Sequence, residues 1–200
     1  MVLGLTGNIA SGKSLVARLL AVRGAEVLSA DALAREVVAP GSAVLLQLVQ
    51  QFGDQILDAQ QALDRGALAE RVFADPQALA ALNRLTHPAI ARLADERLAA
   101  LRAANIKLIV YEAPLLFEAA AEKRVDQVLV VTIDPVIQLQ RLMARDGFGR
   151  DDALRRIGSQ MPQEQKAARA DYLIDNSGSL ADLEAAVNQL WTRLNCNSLE

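Results

Sequence analysis

Five short apolar stretches interrupt an otherwise helical spacing of hydrophobic positions: Val2 to Thr6, Glu26 to Ser29, Lys107 to Glu112, Gln127 to Ile133 and Tyr172 to Asp175. Runs such as LIVY and VLVV are continuous rather than alternating, the pattern of strands covered on both faces of a parallel sheet. Parallel strands need crossovers of about a dozen residues or more, and helical patterns fill the gaps. Lys13 to Arg23 carries Val16, Leu19 and Leu20 on one stripe, and Leu180 to Leu194 carries Leu183, Val187, Leu190 and Leu194.

The connectors are unequal. Asp31 to Asn105 holds several helical segments, punctuated by Pro40-Gly41, Gly53, Gly66, Asp75-Pro76 and His87-Pro88. This is too much chain for a simple crossover and reads as an inserted helical subdomain that seats a second substrate. Asp75 and Pro76 stand in the order of a helix cap followed by proline at the first helical position. A second excursion, Asp146 to Arg169, interrupts the path from the fourth strand to the fifth.

Composition agrees with a helix-rich folded chain. Alanine and leucine supply 68 of the 200 residues, and hydrophobic residues 52%, enough to bury a core and to exclude disorder. No apolar run approaches membrane-spanning length. The N-terminal MVLGLTGN has no positive leader, and the single Cys196 excludes an internal disulfide framework. A cytoplasmic protein is expected. The net charge of −3 argues against a general nucleic-acid binder. Arg141 to Arg169 nevertheless carries seven basic and four acidic residues. Such a stretch either meets an anionic ligand or forms a solvated, ion-paired helix face.

Each strand is followed at once by a polar or turn-forming group: Gly7-Asn8, Asp31, Glu112-Ala113-Pro114, Asp134-Pro135 and Asn176. In open α/β sheets ligands bind beyond the carboxyl ends of the strands. Asp134-Pro135 is better read as a strand stop and helix cap.

The sharpest signal is Gly7-Asn8-Ile9-Ala10-Ser11-Gly12-Lys13-Ser14, which fits G-x-x-x-x-G-K-[ST] throughout. Gly7 and Gly12 allow a tight turn whose N–H groups point at phosphate oxygens, and the following helix adds its free N–H groups and dipole. Lys13 reaches the β- and γ-phosphates, and the Ser14 hydroxyl ligates Mg²⁺. A GTP-dependent switch would want N-K-x-D, which does not occur. The two D-x-x-G matches, at Asp146 and Asp175, read as turns. A small-molecule kinase instead needs an acceptor pocket and mobile cations. The insertion supplies the first and the basic excursion a closing lid, with Arg141 and Arg145 sharing one helix face and Arg156 and Gln160 another. This is the architecture of nucleoside monophosphate kinases.

Over nearly its whole length the chain resembles the dephospho-coenzyme A kinase family. LTGNIASGKS, SADALAREVVAPG, DRGALAERVFAD, LNRLTHP, YEAPLLFE, QLQRLMARDG, RIGSQMP and ADYLIDNSG follow in the family's order. Ser29 stands where an acidic residue is common, Leu15 replaces a usual threonine, and Glu112 sits where aspartate is frequent. The resemblance implies transfer of the γ-phosphoryl of ATP to the ribose 3′-hydroxyl of dephospho-coenzyme A, giving coenzyme A and ADP, with Mg²⁺. It implies an α/β P-loop kinase fold with a five-stranded parallel sheet. Residues 1–30, 106–140 and 170–200 would form the nucleotide core, 31–105 the coenzyme A-binding insertion and 141–169 the lid.

On that reading Lys13, Asp31 and Arg141 are the catalytic candidates. Asp31 either takes the ribose proton or caps the helix from Ala32, and one residue can do both. Gly7, Ala10, Ser11, Gly12, Lys13, Ser14, Leu15, Arg145, Arg156 and Asn176 are expected at the nucleotide, Asn176 beside the adenine, and Ser14 at the metal. Asp31, Arg65 and His87 are expected at the acceptor, His87 being otherwise a cap or a packed ring. Glu112 either holds Mg²⁺ through water or faces solvent. Trp191 and Phe52 read as core anchors. The expected partners are the two small-molecule substrates, with no nucleic acid, no membrane and a monomeric chain.

Overall fold

Continuous apolar sequence becomes a buried central strand. β1 (Val2–Thr6) is buried at all five positions, flanked by β3 (Ile109–Glu112) and β4 (Gln127–Thr132), with β2 (Glu26–Ser29) and β5 (Tyr172–Asp175) at the edges. The order is β2-β3-β1-β4-β5, and β1 runs parallel to β3 and β4, and β4 to β5. A computed structural model describes residues 1–73 and 75–196 of this α/β chain; the Cys196 side chain, to which the sequence assigns no role, lies outside the described set.

The chain divides into two compact units, Met1–Leu28 with Leu101–Glu200, and Ser29–Ala100. In the first, α1 (Lys13–Val22) and α9 (Leu180–Cys196) cover one sheet face. Val16, Leu20, Leu183, Val187, Leu190 and Leu194 pack with Leu3, Leu5, Val110, Leu129, Val131 and Ile174, and Trp191 rests against this core. Gly4 admits close neighbours, since a Cβ there would lie 2.9 Å from the Val125 side chain. Register places Glu112 beside Leu5, Val130 beside Thr6 and Asp175 beside Thr132, so the strands end at a common edge. Three further helices return along the chain: α6 (Pro135–Asp146), α7 (Arg150–Gly158) and α8 (Gln163–Ala167). Asp134 caps α6, accepting from Val136 and Ile137 N–H at 2.8 and 3.1 Å with proline following it.

The second unit contains α2 (Ala30–Glu36), α3 (Ala43–Phe52), α4 (Arg65–Phe73) and all but the last turn of the long α5 (Pro76–Ala103). Val38, Leu48, Phe52, Ile56, Leu68, Val72 and Ala81 form its core. Asp75 accepts from Gln77 N–H at 2.8 Å at the start of α5.

Five expectations are corrected. β3 begins at Ile109 rather than Lys107, and β4 ends at Thr132 rather than Ile133. His87-Pro88 does not break the helix: α5 runs on through Pro88, with Ala81 and Thr86 buried before it and Ala89, Ala94 and Leu98 buried after it, and packing on both sides outweighs the missing N–H. The cap of α2 is Ser29, whose Oγ accepts from Ala32 N–H at 3.4 Å; Asp31 lies exposed in the first turn. Gln160 lies beyond the end of α7, so it shares no helical face with Arg156.

Candidate active site

The loop between β1 and α1 is forced into its shape by space as much as by turn geometry. At Gly7 (φ 150°) a Cβ would lie 2.4 Å from the Val131 carbonyl oxygen, and at Gly12 (φ 91°) 2.1 Å from Asn176 Nδ2. Only glycine fits either place. Between them Ala10 takes a left-handed φ of 63°, while Ser11 N–H and Lys13 Nζ both donate to the Asn8 carbonyl, at 3.1 and 3.2 Å. Gly12 caps α1 with no side-chain acceptor, so the helix start offers its N–H groups and dipole to an anion. Among the described residues, Asn8 Oδ1 and Ser11 Oγ are buried without a hydrogen-bond partner.

Two loop positions turn toward other parts of the unit. Leu15 packs on the core with its N–H bonded to the Gly12 carbonyl at 3.0 Å. Ser14 is exposed, and its Oγ donates to Glu112 Oε1 at 2.7 Å. A hydroxyl and a carboxylate at the sheet's carboxyl edge are hard oxygen donors of the kind a magnesium ion takes alongside phosphate.

Asn176, directly after β5, is a strut: its Nδ2 donates to the Ser11 carbonyl at 2.8 Å, and its own carbonyl accepts from Arg141 at 2.9 Å. The other two arginines have partners of their own. Arg145 makes a two-pronged pair with Asp146 at 2.7 and 2.8 Å, which holds the Asp146 carboxyl below its ordinary range. Arg156 lies 4.1 Å over the Phe148 ring. Within the Ser29–Ala100 unit, Asp31, Arg65 and His87 are all exposed, Arg65 opening α4 and His87 lying in the middle of α5.

Sequence reasoning missed the side chains that hold the loop tip. Ile9 N–H donates to Gln160 Oε1 at 2.7 Å, Gln138 Nε2 donates to the Ile9 carbonyl at 2.8 Å, and Asn8 Nδ2 donates to the Met161 carbonyl at 3.2 Å. Gln138 carries no signal beyond its place in QLQRLMARDG, while Gln160 reads only as a neighbour of Arg156 on a lid helix and Asn8 only as part of the loop motif.

A profile of the dephospho-CoA kinase family matches residues 1–182. The chain is 53% identical over 194 residues to a dephospho-CoA kinase of Syntrophotalea carbinolica, covering 97% of this chain and 92% of that protein. Among solved structures, TT1252 from Thermus thermophilus superposes with a TM-score of 0.81 at 40% identity, covering 97% of each chain. Dephospho-CoA kinase from Campylobacter jejuni superposes with a TM-score of 0.75 at 29% identity, covering 96% of each. A glycine-framed phosphate loop at the carboxyl edge of a parallel sheet, and this likeness along almost the full length, place the chain in the dephospho-CoA kinase family.

Proposed function

We propose that the chain transfers the γ-phosphoryl group of ATP to the ribose 3′-hydroxyl of dephospho-coenzyme A, yielding coenzyme A and ADP, the last step of coenzyme A synthesis. The observation that carries this reading is the loop from Gly7 to Ser14, built for a polyphosphate, in a chain of this family. The two glycines leave no room for side chains, and the buried Ser11 hydroxyl has an unused hydrogen-bonding valence. Ser14 and Glu112 would hold Mg²⁺, Ser14 directly and Glu112 through water. A bound Mg²⁺ neutralises charge on the phosphate oxygens.

The chain's own residues supply the rest. Lys13, buried beneath the loop with its ammonium on the Asn8 carbonyl, follows negative charge toward the leaving group. Gly7, Ala10, Ser11, Gly12 and Leu15 shape the loop around the phosphates, and Asn176 fixes its far side next to the adenine. Arg141, with Arg145 and Arg156 from the lid at 141–169, gathers positive charge at the transferred group. Asp31 accepts the ribose proton, and Arg65 and His87 contact the acceptor in the insertion at 31–105. No helix among the described residues is long and apolar enough to cross a membrane. The accompanying reading is a cytoplasmic monomer that uses two small-molecule substrates.

Initial rates with Mg²⁺-ATP and a panel of dephospho-coenzyme A, AMP, CMP and shikimate test the proposal, with ADP release as the readout. Dephospho-coenzyme A should be turned over far faster than the others and gain its phosphate at the 3′ position. Equal or higher turnover of AMP, CMP or shikimate would reject it in favour of another P-loop kinase.

A further inference from the structure

Lys166 is wholly buried, with 0% of its side chain exposed. A lysine in that position is strongly unfavourable unless its charge is met, and a methionine of similar volume would avoid the penalty. The charge is met twice. Its Nζ donates to Glu118 Oε1 at 2.9 Å and to the Pro114 carbonyl at 3.0 Å. Because it has no exposed atoms it does not touch substrate, yet each partner leads back to the phosphate loop.

The Pro114 carbonyl also accepts from Thr6 Oγ1 at 3.2 Å, and Thr6 is the last residue before the loop. Glu118 Oε1 also accepts from Met161 N–H at 3.1 Å. The Met161 carbonyl in turn takes Asn8 Nδ2, and the adjacent Gln160 takes Ile9 N–H. The base of this arrangement is fixed independently, because Gln163 clasps Ile133 through both backbone groups, at 2.9 and 3.1 Å. One buried ammonium therefore grips the loop's entry and its tip, while Asn176 holds its exit.

We propose that Lys166, acting through Glu118 and the Gln160–Met161 segment, is a positioning residue for phosphoryl transfer that sets the loop's backbone in its phosphate-binding form. The inference rests on the reading of Gly7 to Ser14 as the nucleotide site. It adds a second role to the Asp146–Arg169 excursion, whose C-terminal part is a fixed brace for the loop and not only a cover. A displacement of about 1 Å in such a brace is enough to lower turnover on the order of 10²-fold.

Lys166→Met keeps volume and removes the grip. Calorimetric titration with a non-hydrolysable ATP analogue separates stoichiometry from affinity, and steady-state rates follow turnover. Lys166→Met should bind one analogue per chain with affinity reduced about tenfold and turnover reduced about 10²-fold. Gln160→Ala should move both in the same direction, and the double variant should lose less than the product of the two single losses, since both act on one strut. A Lys166→Met protein with native affinity and only a smaller active fraction would overturn the proposal, as would losses that simply multiply. If Lys166→Met does not fold, Lys166→Met with Glu118→Gln, which leaves no stranded carboxylate, carries the same measurements. Wild-type turnover of dephospho-coenzyme A judges the proposed reaction, whereas the ratio of variant to wild-type affinity judges the brace.

Discussion

Asn176 and Gly12 compete for one space: the asparagine Nδ2 that donates to the Ser11 carbonyl at 2.8 Å would lie 2.1 Å from any Cβ at position 12. The end of β5 thereby enforces a glycine in the loop after β1. Gly12→Ala adds both that collision and a left-handed φ of 91° on a residue with a side chain. Backbone strain alone costs on the order of 1–3 kcal/mol. Thermal melting should fall by several degrees, and nucleotide affinity should fall with it. Native melting and affinity in Gly12→Ala would show that the loop accommodates a methyl group.

Lys13→Ala removes an ammonium that lies against the Asn8 carbonyl inside the loop. Turnover should fall on the order of 10²–10³-fold, because the charge acts most strongly as negative charge builds on the leaving oxygen. If only the Michaelis constant for ATP rises, Lys13 serves binding alone.

Asp31 is free of the capping task, which Ser29 performs. Asp31→Asn should therefore leave melting nearly unchanged while cutting turnover by about 10²-fold or more, with ATP affinity retained. Near-normal turnover would remove Asp31 from the role of base.

Acid stability should report the brace around Glu118. Burial alone would raise its carboxyl pKa, but the hydrogen bond from Lys166, its own backbone N–H, that of Met161 and the Lys166 charge together hold it below the ordinary range. A carboxyl whose folded value lies below its unfolded value of about 4.3 stabilises the fold above that pH. The contribution is lost as pH falls through the folded value. The melting temperature of wild type should therefore drop more steeply from pH 5 to pH 3 (a range of roughly two pH units around the glutamate value) than that of Glu118→Gln. The variant should be less stable near neutrality and flatter in acid; parallel curves would show that Glu118 gains nothing from Lys166.

What could be read from the chain was whatever local spacing encodes. The unbroken runs around Val110 and Leu129 announced buried strands, and two glycines with a lysine at fixed intervals announced the phosphate loop. The phosphate loop's supports were illegible because their partners are distant in sequence. Gln160 meets a loop residue 151 positions away, and Asn176 one 165 away. Lys166 looked like one more cation in a basic stretch, and nothing local distinguishes a lysine that points inward. Pro88 misled for the opposite reason, because a strong local breaker yielded to packing along both halves of α5.

The central place of β1 has a consequence for how the protein is made. Its neighbours begin at Ile109 and Gln127, so β1 waits for the whole of the Ser29–Ala100 unit to be made before it finds either flank. Pairings this remote in sequence pay their closure entropy before any reward, which slows assembly. The glycine turn is completed later still, since after Gln138 its remaining clasps arrive with residues 160–176. The residues of the phosphate loop are thus made well before the side chains that hold them, and a chain cut short before β5 would carry the motif without its Asn176 clasp.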